Sequence, residues 1–75
     1  MEQTLRNIVA KIAEIPPDFA PDASLRDDLK VDSVRALELL FEVEKELAVA
    51  VPETRYGEVR TFQDLVKLVR SLKAA

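Results

Sequence analysis

The 75 residues contain neither cysteine nor histidine. That excludes disulfides, zinc sites built on thiolate or imidazole, and any Cys–His or Ser–His nucleophilic pair. Tryptophan is also absent, the aromatics stop at Phe19, Phe41, Tyr56 and Phe62, and Gly57 is the single glycine. One glycine cannot build a glycine-rich phosphate loop. No apolar run approaches the roughly 20 residues of a membrane span, and no signal peptide with a long apolar centre is visible. Positive charge is the scarcer sign, with 11 Lys and Arg against 14 Asp and Glu and a net charge of −3. A nucleic-acid partner is therefore not expected, because binding phosphates requires a basic face that displaces counterions. These absences leave a cytoplasmic domain with no metal site and no membrane span. An enzyme is not expected either, since the acidic pair Asp27 and Asp28 has no partner base and small solvated acidic pairs are far commoner than catalytic ones.

Hydrophobic residues make up 48% and charged residues 33% of the chain, the balance of a folded domain. Its length suits one domain, residues 1–75. Leu5, Ile8, Val9 and Ile12 recur at helical spacing, so residues 2–14 read as an amphipathic helix ended by Pro16 and Pro17. Pro17–Lys30 reads as a long loop. Within it, Ser24 to Asp27 form a turn like a weak capping box, and Leu25 and Leu29 are placed to pin the loop to the core. A second helix is expected from Asp32 or Ser33 to Leu47, free of Pro and Gly. Val49 and Val51 read as extended. Pro52 then opens a short helix, Glu53–Tyr56, which Gly57 is expected to stop. Thr61, with Asp64 three residues on, caps a last helix whose buried stripe is Phe62, Leu65, Val66, Val69 and Leu72. The expected fold is all-α, a small four-helix bundle of three main helices and one short one.

On the second helix, at about 100° per residue from Ser33, one arc collects Ala36, Leu39, Leu40, Val43 and Leu47 as the core face. Arg35, Glu38, Glu42 and Glu46 fall opposite, toward water. Val34 and Phe41 fit neither face: at about 100° and 80° they share one flank, with Leu37 between them and the core. Glu38 and Lys45 border this strip on the wet side, and Glu44 on the other. An apolar strip with a charged rim beside a helix N-terminus is the pattern of a partner-docking surface, with cover by the first helix or the loop as the alternative. A serine at the start of a helix is most often only its cap. If Asp32 caps instead, the Ser33 hydroxyl points outward, where a phosphoester on it would meet the unpaired N–H groups and positive dipole of the first turn. Asp32 would repel that phosphate, and makes better sense as a contact for a cation brought by a modifying enzyme.

The segment from Asp28 through Asp32-Ser33-Val34 to Leu40 resembles the phosphopantetheine attachment region of acyl carrier proteins. The likeness continues through Phe41–Leu47, then Val51-Pro52-Glu53, then Arg60-Thr61-Phe62-Gln63-Asp64-Leu65, at the separations of that family, and is sharpest from Leu25 to Val69. The resemblance implies that Ser33 bears 4′-phosphopantetheine through a phosphodiester, installed from coenzyme A by a phosphopantetheinyl transferase using Mg²⁺, with Asp32 assisting. It implies docking by Val34, Glu38, Phe41 and Glu44, beside Leu37 and Lys45 from the helical reading, to acyl-transferring and acyl-modifying enzymes, with the acyl group held as a thioester on the arm of a carrier, expected to be monomeric, in fatty-acid, polyketide or specialised lipid biosynthesis. Three departures stand out. Lys30 replaces the family's usual glycine, so its loop either avoids positive φ or tolerates strain. Val34 replaces leucine. Arg35 and Lys45 reduce the charge from Val34 to Leu47 to −2, two positive residues against Glu38, Glu42, Glu44 and Glu46. This modest charge keeps open a peptidyl or aminoacyl carrier, and a helical interaction module with no prosthetic group is a further alternative.

Overall fold

The computed structural model describes residues 1–74. The chain forms α1 (Glu2–Ala13), α2 (Ser33–Leu47), a 3-10 helix (Glu53–Glu58) and α3 (Phe62–Ala74). This is the expected helical bundle, and the described residues contain no strand beyond one isolated bridge, Ser24 to Thr61. Side chains from all three long helices meet in one core, where Phe62, Leu5, Leu39, Leu65, Leu68, Val9, Val43 and Val69 are fully buried. Leu68 belongs to the buried stripe of α3 although the helical reading omitted it. Leu72 and, on α2, Ala36 and Leu47 are only half-buried against that core.

Each helix end has a local cause. α1 stops one residue earlier than expected, at Ala13, because Glu14 turns left-handed (φ 59°) and its N–H bonds the carbonyl of Ala10. α2 ends the same way at Ala48 (φ 54°). The short helix overturns the expectation that Gly57 would stop it. Its 3-10 form runs through Gly57, which has no positive φ, to Glu58. Arg55 grips Glu58 through two hydrogen bonds of 3.0 and 2.9 Å and reaches the Ser71 hydroxyl at 3.2 Å, tying this helix to α3.

α3 opens on a reciprocal box. The Asp64 N–H donates to Thr61 Oγ1 and the Thr61 N–H donates to Asp64 Oδ2, both at 3.1 Å. The Thr61 N–H, helped by the hydroxyl, holds the Asp64 carboxyl below its ordinary value. A carboxylate lowered in the folded state stabilises above its unfolded pKa, about 3.9, and that stabilisation is lost as pH falls through the lower folded value. Thr61→Ala is therefore expected to cost about 1 kcal/mol at neutral pH. Asp64→Asn should flatten the acid limb of stability measured by urea unfolding below about pH 4.

The long loop before α2 is packed down. Arg6, half-buried on α1, donates to the carbonyls of Phe19 (2.6 Å) and Pro17 (2.9 Å). Its guanidinium lies 4.9 Å from the ring centroids of both Phe19 and Phe62, which meet edge to face at 5.0 Å. Further on, the Leu25 N–H bonds the Arg60 carbonyl at 2.9 Å and the Phe62 N–H bonds Ala23 at 3.2 Å, joining the loop to the start of α3. Leu25 and Leu29 are buried, as their spacing suggests. The local box forms with a different partner from the expected one: Ser24 Oγ accepts the Asp27 N–H, but Asp28, not Asp27, accepts the Ser24 N–H.

Candidate functional site

Asp32 caps α2: its extended backbone precedes the first turn and Oδ1 accepts the Arg35 N–H at 2.9 Å. Ser33 therefore occupies the first helical position, exposed, and its hydroxyl bonds no other group among the described residues. The chain has two more serines, Ser24 and Ser71, and both hydroxyls accept hydrogen bonds, from the Asp27 N–H and from Arg55. Ser33 is thus the serine whose oxygen stands clear of the fold, beside the unpaired N–H groups of the first turn of α2.

Next to it, between the loop before α2, the N-terminal half of α2 and the 3-10 helix, lies an open cleft of about 1000 Å³. Val31 and Leu40 contribute apolar floor, and Leu37 and Tyr56 apolar wall. A phosphoester with a flexible extension fits this arrangement, since an exposed hydroxyl at the mouth of a partly apolar cleft gives the group both an anchor and a surface.

Lys30, three residues before Ser33, adopts φ 59°, so the loop does require the left-handed conformation and carries its strain without glycine. Its ammonium donates to the Asp27 carbonyl at 3.0 Å. Lys30→Gly is expected to raise stability by about 0.5–1 kcal/mol in urea unfolding, the relief of left-handed strain exceeding the added freedom of the unfolded chain.

Along the flank of α2, Val34, Phe41 and Leu37 are 64%, 59% and 44% exposed, forming an uncovered apolar strip. Glu38 and Lys45 border it and are exposed. Three neighbours differ from their helical-wheel positions. Arg35 does not face open water: it is half-buried, donating to the Ile12 carbonyl at 3.4 Å and lying 3.6 Å from Glu14, so it binds the end of α1. Glu44 is half-buried and accepts the Val51 N–H at 2.9 Å, holding the segment after α2 in place instead of projecting from the rim. Glu42, expected toward water, is also half-buried, in a notch bordered by Thr4 and Lys11 of α1.

The sequence reading missed Arg26, Lys30 and Arg60 as neighbours around the cleft. Arg26 and Lys30 share the loop before α2 and Arg60 precedes α3; the Ser24–Thr61 bridge and the Gln63 N–H to Pro21 carbonyl bond join the two segments, and no local pattern signals that meeting. No helix among the described residues is long and apolar enough to cross a membrane.

Comparison with known proteins agrees with the arrangement at Ser33. Residues 3–69 match the family described as "Phosphopantetheine attachment site". The chain is 30% identical over 74 residues to the acyl carrier protein of Thermosynechococcus vestitus, covering 97% of this chain and 91% of that protein. It is 31% identical over 81 residues to the meromycolate extension acyl carrier protein of Mycobacterium leprae, covering 97% and 70%. The protein of that name from Mycolicibacterium smegmatis is 30% identical over 81 residues, covering 97% and 82%. The family's prosthetic group is covalent 4′-phosphopantetheine, and its members carry groups for acyl-handling enzymes without catalysing reactions themselves. A clear hydroxyl on the first turn of α2, the helical fold around it and these matches place the chain in the acyl carrier protein family of phosphopantetheine carriers.

Proposed function

We propose that Ser33 is the attachment point of the 4′-phosphopantetheine arm, and that this chain is a monomeric cytoplasmic carrier, one domain over residues 1–75, serving fatty-acid, polyketide or specialised lipid biosynthesis. The observation that carries this reading is the division of labour between adjacent residues: Asp32 caps the helix, which leaves the Ser33 oxygen outside every hydrogen bond of the described residues. When attached, the arm supplies a terminal thiol that a cysteine-free chain lacks, on which an acyl group is held as a thioester. The chain's own residues anchor the arm, orient its root and offer a surface to visiting enzymes. Asp32 keeps one carboxylate oxygen for its cap and has the other available to a cation brought by the transferase. The modest charge of α2, −2 from Val34 to Leu47, favours a specialised partner set over the general fatty-acid synthase.

Val34, Leu37 and Phe41 would form the apolar centre of the docking surface, with Glu38 and Lys45 as its charged rim, while Glu44 has a structural duty as well. Intact mass after incubation with coenzyme A and a broad-specificity phosphopantetheinyl transferase tests the reading: one adduct is expected, and its absence with every transferase would leave a bare helical interaction module. In the same assay Phe41→Ala should slow loading by about fivefold or more. Stability should change by less than about 1 kcal/mol, because the ring lies outside the core.

A further inference from the structure

Negative charge outnumbers positive in this chain, yet Arg26, Lys30 and Arg60 all line the cleft at whose mouth Ser33 stands. The ion pairs among the described residues involve Arg6, Arg35 and Arg55, so none of these three has a carboxylate within 4.0 Å. The Ser24–Thr61 bridge brings the backbone segments that carry Arg26 and Arg60 side by side. The Leu25 N–H bonds the Arg60 carbonyl at 2.9 Å, fastening Arg60 across from the residue beside Arg26. Asp27 and Asp32 also line the cleft, two acids against three cations, so positive charge is in excess there. Below this rim the floor is apolar, formed in part by buried Leu25, Val31 and Leu40.

An apolar floor with a cationic lip complements an amphiphile whose chain ends in an anion. We propose that the cleft retains one class of cargo, an acyl chain ending in a carboxylate, with the chain on the apolar floor and the carboxylate against Arg26 and Arg60, and with Lys30 adding positive potential on the side of Ser33. The proposal rests on the carrier reading above and names its cargo. The arm's own phosphodiester would use the cations without the floor, and is the competing anion.

The test loads the whole chain from suberyl-coenzyme A, octanoyl-coenzyme A and coenzyme A itself, checks each product by intact mass, and follows hydroxylamine cleavage of the two thioesters relative to their free coenzyme A forms. On the wild type, the carboxylate-ended suberyl thioester should be cleaved about fivefold more slowly than the octanoyl thioester, and the ratio should fall to about one in the double variant Arg26→Gln/Arg60→Gln. Equal protection of the two cargoes, or a ratio that survives the double variant, overturns the proposal. So does a gain in melting temperature that depends on the two arginines and is already complete in the cargo-free arm, since the bound anion is then the phosphodiester. A chain that takes no adduct overturns the carrier reading and this proposal together, whereas loaded chains with equal rates overturn this proposal alone.

Discussion

Ser33→Ala should take up no phosphopantetheine at all, while unfolding in urea within about 0.5 kcal/mol of the wild type. The side chain is exposed and bonds none of the described residues, so its removal leaves no cavity and no orphaned partner. Asp32→Ala is the informative contrast. It removes the acceptor of the Arg35 N–H and should cost about 1 kcal/mol, the usual worth of an N-cap. An adduct that persists in Ser33→Ala, seen by intact mass, would move the attachment to Ser24 or Ser71. Their hydroxyls would first have to leave Asp27 and Arg55.

Arg6→Ala should produce the largest loss of stability among polar substitutions, about 3 kcal/mol, which for a domain of this size lowers the melting temperature by roughly 15 °C. Its guanidinium donates to the Phe19 and Pro17 carbonyls and lies against the Phe19 and Phe62 rings, with 15% of its side chain exposed. Hydrogen bonds to a charged donor contribute more than neutral ones, and cation–π contact adds to them when it is shielded from water. Arg6→Lys should recover less than half of the loss, because a compact ammonium lacks the planar fork that reaches two carbonyls while resting against both rings. Calorimetry decides the matter: a loss under about 1 kcal/mol for Arg6→Ala would show the loop held by its leucines alone.

The three long helices were legible because their apolar residues recur at helical spacing and their ends carry strong local signals, Pro16 for α1 and Thr61 with Asp64 for α3. The outward phase of Val34 and Phe41 was legible for the same reason. Contacts across distant segments were not. Nothing near Arg6 in sequence announces two carbonyls and two aromatic rings, and nothing near Arg35 announces the end of α1. Gly57 misled because a glycine following a short helix suggests a left-handed stop, whereas this chain places its left-handed residues at Glu14, Lys30 and Ala48. At Ser33, the sequence narrowed the cap to two adjacent residues, and the backbone turn at Asp32 then assigned it.

The clasping of the segment before α2, by Arg6 at one end and by the Ser24–Thr61 bridge at the other, fixes the position of residue 33 relative to the whole bundle. A visiting enzyme therefore meets a rigid base with a known bearing and radius. With the arm on Ser33 as proposed, whatever travels from one catalyst to the next would swing about that single pivot.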